Sequence, residues 1–348
     1  MPGTYVSEIK FPHESSARHW VLCQVGGCPG EAAPDRPRCL LHMSDDDRRA
    51  YLRVVGRGIG RLTLAGLTVS GREFAAILGA MPTTVSNPSN QSRPLIPVPA
   101  SFEETVFTDV FDLQHVTFGN ACTMSKAVFR KGVMWNGTQF GGILDVRQSR
   151  IEGDNASTLT HMTIKGDLRA TGLESTRLLN LFGTTIRGDL DLRYCKLYGI
   201  WLSAAVIEGG IRGEQASFAT IPDDSPPAEA TLSRFDNLSV TGSVDFSRTQ
   251  FSYETTFGGY ADMVPARLHS SVSFNGSIFG VDGLGGRHLL QRLELNDVDI
   301  SDVKFLGRVS FAGSTFSQGL VLRDTRVDGS FPCRGDANDR LFPVAIWT

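Results

Sequence analysis

The feature that most constrains this chain is a short element, small residue then any residue then bulky apolar residue, that recurs through most of its length. It reads Thr138-Gln139-Phe140, Ser149-Arg150-Ile151, Thr184-Thr185-Ile186, Ala205-Val206-Ile207, Ala216-Ser217-Phe218, Thr249-Gln250-Phe251, Ser277-Ile278-Phe279, Ser314-Thr315-Phe316 and Thr325-Arg326-Val327. A glycine often follows, then an alternating apolar pair, as in Ile186-Arg187-Gly188-Asp189-Leu190-Asp191-Leu192. Near the C-terminus the bulky positions run Phe305, Phe311, Phe316, Leu322 and Val327, in steps of six, five, six and five. A helix has a period of about 3.6 residues, and a hairpin reverses the chain at paired turn residues, so neither produces this spacing. A coil of four short faces does. The bulky residue and the small one before it both point inward, glycine relieves the corner, and coils stacked about 4.8 Å apart satisfy one another's backbones. A single coil cannot bury its own apolar face, so the column folds together. The expectation is a mainly β chain, a right-handed parallel β-helix of quadrilateral section over residues 101–348, with a flat β-sandwich of irregular strands as the rival.

This pattern resembles that of the pentapeptide-repeat proteins, whose five-residue unit places a small residue two before a central Leu or Phe. The resemblance extends over the whole repetitive region and is degenerate. The Asp or Asn that commonly precedes the central residue is mostly absent, many units are longer by one, and insertions interrupt the column at Asp154–His161, Ala219–Arg234, Ser252–Ser271 and Val281–Arg292. For function, the resemblance implies one specific possibility: some members of that family bind type II topoisomerases (DNA gyrase) by presenting an acidic rod shaped like a DNA duplex.

Before the repeats lie two other regions. Residues 82–100 hold Pro82, Pro88, Pro94, Pro97 and Pro99 among Ser, Asn and Thr, and read as an extended linker. Residues 1–81 read as a small module with two helices. Ser44 caps the first, ahead of Asp45, Asp46 and Asp47, and Gly56 stops it. The second carries a capping box, Ser70-Gly71-Arg72-Glu73, and an apolar stripe of Phe74, Ile77, Leu78 and Met81. Leu62-Thr63-Leu64 and Leu67-Thr68-Val69, between them, alternate like short strands.

The same module contains the strongest chemical motif, Cys23-x4-Cys28-x10-Cys39-x2-His42. Three thiolates and an imidazole are a tetrahedral set for Zn²⁺, and four protein ligands close the site, which makes it structural, one ion per chain. Gly26, Gly27, Pro29 and Gly30 supply the tight turns of a knuckle, and His19 is an alternative fourth ligand. Similar Cys/His segments precede the repeats in some proteins that this chain resembles, which implies an accessory folding or docking role. Cys122, Cys195 and Cys333 read as core or small-position residues, not reactive thiols.

Charge narrows the function classes. Residues 1–99 carry 11 Lys/Arg and 8 Asp/Glu, residues 100–348 carry 23 and 29, and the net charge is −3. Neither sign is strong enough to call for a nucleic acid or a membrane surface as partner. The longest uncharged apolar run, roughly Leu197–Ile207, falls short of the about 20 residues that a membrane span needs. With no apolar stretch of signal-peptide kind at the start, a cytoplasmic location is the expectation. No Walker loop, Gly-x-Ser-x-Gly or His-Glu-x-x-His motif occurs. Asp189, Asp191, Asp297 and Asp299 lie beside strand positions, where a carbohydrate-active β-helix enzyme would keep its carboxylates and where a DNA mimic would need acidity. A solvated wall is the plainer account of them. The reading favoured here is a non-catalytic scaffold for a protein partner, with Arg267, His269, Arg287 and His288 in the inserted segments as its interaction ridge.

Overall fold

A computed structural model of the chain describes residues 20–86, 91–153, 157–218 and 233–251, and beyond these a series of short strands ending at Ala345–Trp347. The described residues form a parallel β-solenoid. One coil shows the plan: Cys122–Thr123, Val128–Phe129, Val133–Met134 and Gln139–Phe140 make four successive short faces. On the first face Ala100, Cys122, Leu144, Leu168, Leu190 and Ile211 stand in parallel register, at nearly even intervals along the chain. On the fourth, Ile96, Phe118, Phe140, Ile164, Ile186 and Ile207 do the same, and Val240 follows in register after a longer step.

The small–x–bulky element has a physical cause. Thr138 with Phe140, Thr184 with Ile186 and Ala205 with Ile207 are all buried, while the intervening Gln139 and Val206 are exposed. The small residue sits just after a corner. Its polar atom also has a task. Thr138 Oγ1 donates to the Leu113 carbonyl at 2.6 Å, Ser149 Oγ to that of Met124 at 2.6 Å, and Thr184 Oγ1 to that of Leu159 at 2.9 Å. Each of those carbonyls belongs to the preceding coil, and the hydroxyl meets it inside the column, where an unpaired polar group is costly. Cys195 fills the same position, its Sγ 3.0 Å from the Ala170 carbonyl.

Two of the four corners are β-turns with a left-handed residue in third place. In one, the Ala127 N–H donates to the Met124 carbonyl across Lys126 at φ 56°; in the other, Val116 N–H donates to Leu113 across His115 at φ 59°. A positive φ in third place is the type II geometry, for which glycine is the usual solution. Here His115, Lys126, Gln148, His161, Tyr194, Ala204, Gln215, Asn237 and Arg248 hold it as well. The glycines foreseen after the bulky residue serve another corner, between the fourth and first faces, where backbones stack closely. A Cβ on Gly209 would lie 2.5 Å from the Gly188 carbonyl oxygen, and the Gly242 N–H donates to the Gly209 carbonyl at 2.9 Å. Gly209→Ala must therefore push two coils apart. A loss of about 1–3 kcal/mol is expected in chemical denaturation, as for overpacked cores; an unchanged midpoint would mean that this corner is not close-packed.

Aromatic rings stack along the column at the rung spacing. Phe107 and Phe129 are 5.3 Å apart with planes 1° from parallel, and Phe118 and Phe140 are 5.0 Å apart at 11°. Phe235, Phe246, Phe251 and Phe274 renew the aromatic core further along. Between the two blocks the core is aliphatic. An apolar cavity of about 20 Å³ marks the first junction, against Phe129, Trp135, Ile151, Leu168 and Leu181. A continuous column requires its rings to be buried, and Phe140, Phe246 and Phe274 are fully so. Phe305 and Phe316 lie in strands in parallel register with Leu268 and Phe279, and Phe311 lies outside the described residues.

The solenoid begins earlier than residue 101. Leu62 pairs with Ala100, and Val69 with Phe107, so the two short strands of the N-terminal module are the first and second faces of the first coil. The stretch 82–100 is likewise no free linker: Thr83–Ser86 and Gln91–Ile96 form an antiparallel hairpin, and Leu95–Ile96 continues in parallel register with Thr117–Phe118. Two helices frame this coil. Helix α1 spans Asp45–Gly56, capped by Ser44, and includes the glycine expected to stop it. Helix α2 spans Gly71–Gly79 with both hydrogen bonds of its capping box formed. It stands where a third face would be and sets Phe74 against Phe102, Phe107 and Phe111, with centroids 5.8, 6.1 and 4.7 Å away. Two of the expected insertions also need correction. Ser157–Thr158, Thr255–Thr256 and Arg267–Leu268 are strands in the ladder, so neither Asp154–His161 nor Ser252–Ser271 is one continuous excursion.

Candidate metal centre

Cys23, Cys28, Cys39 and His42 come together. Cys23 lies beside the isolated antiparallel bridge Leu22–Glu31, Cys28 follows the Gly26-Gly27 turn, and Cys39 caps the 3-10 turn Leu40–His42 that presents the histidine. The four ligand atoms all lie within 4.8 Å of one another. Cys28 and Cys39 sulfurs are 3.9 Å apart, and His42 Nδ1 is 3.3 Å from Cys39 Sγ and 3.5 Å from Cys23 Sγ. Tetrahedral Zn²⁺ with bonds of about 2.3 Å to sulfur and about 2.0 Å to nitrogen requires S···S edges near ~3.8 Å and S···N edges near ~3.5 Å. The side chains thus stand at the edges of a tetrahedron that a metal ion fits. Cys23 and Cys39 are buried, Cys28 half-buried and His42 exposed.

The thiols are unequal. Burial alone would raise Cys23, but the backbone N–H groups of Cys39 and Val25, with His42 beside them, bring it down to about 6. Cys39 is pushed up to about 12, chiefly by burial. A cation bound among such thiols draws off their protons, since the thiolate is the ligand form. Cys122 and Cys195 differ: burial, with a smaller contribution from Asp145 and Asp191 respectively, pushes both thiols up, and both side chains are fully buried in the core. His19 and Cys333 lie outside the described residues.

The knuckle is fastened to the first coil by the residues that immediately follow Cys28. Glu31 N–H donates to the Ala65 carbonyl at 2.8 Å. The Glu31 carboxylate, only 3% exposed, accepts from Thr63 Oγ1 and from the Arg61 guanidinium. Gly30 and Gly66 let the two segments touch: a Cβ on Gly30 would lie 2.1 Å from Leu67 Cδ2, and one on Gly66 would lie 2.6 Å from the Pro29 carbonyl oxygen. Tyr51 of α1 donates to the Arg61 carbonyl and closes the arrangement. The first rung of a parallel sheet is an edge that can recruit other chains, and a covering loop is a standard protection. Glu31 went unnoticed in the sequence. Its signal was a single charge inside the small apolar run Gly30-Glu31-Ala32-Ala33. No family model, curated protein or solved structure matches the chain.

The wall carboxylates have structural partners. Asp145 Oδ1 accepts the Arg147 N–H at 3.1 Å, and the carboxylate pairs with the guanidinium at 2.6 Å. Asp191 does the same with Arg193, at 3.2 and 2.6 Å. Burial would raise the Asp191 carboxyl, but the Arg193 guanidinium and N–H outweigh it and hold it below the usual carboxylate range. Asp189 accepts from Gly210 N–H at 2.9 Å and from Arg212 at 2.8 Å. On the first face the outward position reads Asp145, Arg169, Asp191, Arg212, Asp245 in successive rungs, alternating in sign. Asp299 lies in the strand Val298–Ser301, and Asp297 outside the described residues. Of the expected ridge, Arg267 is on the fourth face, in register with Ser239 and Lys304, and His269, Arg287 and His288 lie outside the described residues. No helix among the described residues is long and apolar enough to cross a membrane.

Proposed function

We propose that this chain is a non-catalytic scaffold that binds a protein partner along its solenoid walls, with one structural Zn²⁺ holding its N-terminal cap. The observation that carries the reading is the state of the wall carboxylates. Asp145, Asp191 and Asp245 each accept the backbone N–H two residues on, and Asp145, Asp189 and Asp191 each pair with an arginine. Acid–base cleavage of a glycoside needs two free carboxyls facing each other across a substrate, one of them kept protonated. Carboxylates held by arginines, in one case below the usual range, are suited to forming corners. The same alternation of sign weighs against a topoisomerase-binding DNA mimic, which needs an unbroken row of negative charge. The choice of zinc follows from the donor set, since three thiolates and one imidazole in a closed site favour it over harder cations.

The test is capture of partners by the immobilised full-length chain from an extract of its native host, beside a supercoiling assay with a type II topoisomerase. A stoichiometric protein partner with no inhibition of supercoiling is the expected result. Inhibition that disappears when Asp189 and Asp191 are changed to Asn would instead establish the mimic.

A further inference from the structure

On two faces, charged residues at the outward strand position alternate in sign from rung to rung. The first face reads Asp145, Arg169, Asp191, Arg212, Asp245. The second reads Arg150, Glu174, Lys196, with Arg150 3.0 Å and Lys196 3.4 Å from the Glu174 carboxylate. Rungs are about 4.8 Å apart, so opposite signs attract along the ladder and like signs would repel. The fourth face breaks this rule. Its corresponding register position runs Thr117, Gln139, Thr163, Thr185, Val206, Ser239, without charge for six rungs. It then runs Arg267, Lys304, Arg326, three cations in successive rungs. Leu268, Phe305 and Val327 follow them at the register position that Phe118, Phe140 and Val240 hold buried lower down, so the hydrophobic pattern continues unchanged. The core has no use for three like charges in a row, and at the outward strand positions of the first and second faces opposite charges stand between like ones.

We propose that this stretch of the fourth face is a docking strip for an acidic polypeptide segment, a run of Asp and Glu lying along the solenoid axis. The inference rests on the scaffold reading and specifies its partner's chemistry. The neutral rungs below the cations carry mostly small residues, over which an extended segment can lie flat. Single-stranded nucleic acid is held by a cationic track together with aromatic stacking platforms, and the ladder supplies none. The chain's net charge of −3 also opposes a long polyanion more than a short acidic segment.

The probe is a fluorescently labelled ten-residue oligoglutamate, with oligothymidylate as comparator, titrated by anisotropy with the full-length protein at low and at moderate salt. Binding of oligoglutamate that weakens at least tenfold in R267T/K304T/R326T is expected, since these changes restore the residue types of the lower rungs. A second variant, Arg38→Glu with Arg53→Glu and Arg57→Glu, alters charge on exposed residues of the N-terminal cap and should shift the affinity less than twofold. Circular dichroism and melting check that each variant folds; if the triple Thr variant does not, single substitutions must each weaken binding about two- to fivefold. No oligoglutamate binding by the wild type, equal loss in both variants, or tighter binding of oligothymidylate overturns the proposal. Should partner capture from the host extract survive in R267T/K304T/R326T, the scaffold reading stands and the docking strip falls.

Discussion

Phe107→Asp is expected to abolish the folded first coils. Phe107 is 2% exposed and stacks on Phe111 at 3.8 Å and Phe129 at 5.3 Å, with Phe74 and Phe102 each 6.1 Å away edge-on. It is the ring through which α2, the first coil and the two coils beyond it meet. Truncation to Ala removes that ring and leaves a cavity, at a cost of about 3–5 kcal/mol. A carboxylate in its place has no donor within the apolar column, and burying it unpaired costs more than the site can supply. Native-state hydrogen exchange should show loss of protection from Leu62 to about Phe140. Protection should persist around Leu190–Ile211, because each coil in a solenoid contacts only its neighbours. A Phe107→Asp protein with wild-type protection at Val69 and Phe118 would mean that this stack does not hold the N-terminal coils.

Metal removal is expected to have the second large effect, and to reach past the knuckle. Structural Zn²⁺ sites in small modules contribute about 10–16 kcal/mol of apparent binding energy, which is folding energy where no site exists in the unfolded chain. Cys28 is one of the four side chains grouped for a metal, and two and three residues on, Gly30 and Glu31 are the docking contacts to Leu67, Ala65 and Thr63. Chelation should therefore release the edge of the first coil as well as the knuckle. Leu62, Leu64, Leu67 and Val69 are all buried, and uncovering them creates a strand edge with apolar neighbours. Cys39→Ser should lose the ion, expose the peptides of residues 62–69 to exchange and promote self-association at micromolar concentration. Glu31→Gln should keep the ion but weaken the dock, which separates the two contributions. If chelated protein keeps full protection in 62–69, the cap and the coil are independent, as a linker between them would have allowed.

Much of this architecture was legible because the inward positions of the second and fourth faces are so regular. In Ser149-Arg150-Ile151 and Thr184-Thr185-Ile186 the small and the bulky residue are both buried, so each such face announces itself in three letters. The first and third faces are less distinctive. There the buried pair is two apolar residues around a central one, as in Leu144-Asp145-Val146 or Val133-Met134-Trp135, a pattern that any half-buried strand shares. The first coil was hidden for a different reason. Helix α2 and the hairpin stand in for regular faces, so the step from Leu62 to Ala100 is much longer than the steps from Ala100 to Cys122 and on to Leu144. No repeat length reveals such a coil. The prolines of 82–100 added to the disguise. Pro94 lies within a strand of the hairpin, opposite Thr83, so the proline count suggested a linker where a ladder exists.

The grouping of Cys23, Cys28, Cys39 and His42 was legible in the sequence, because their residue types and spacing are those of a Cys₃His set. What spacing could not convey is where the knuckle goes. Glu31, Gly30 and Gly66 matter through contacts between segments well separated in the chain, and a carboxylate buried against Thr63 looks in sequence like any surface charge. The wall aspartates illustrate the same limit. Asp189 and Asp191 were visible as outward residues, but their arginine partners come from two residues along the strand or from the next coil, and only the register joins them.

The most direct measurement is the metal content and coordination of protein purified without chelators, by native mass spectrometry with X-ray absorption at the metal edge. One zinc per chain is expected, bound by three sulfurs at about 2.3 Å and one nitrogen at about 2.0 Å and falling to none in Cys39→Ser. A folded wild-type protein that carries no stoichiometric metal, or a metal bound mainly through oxygen, would contradict it.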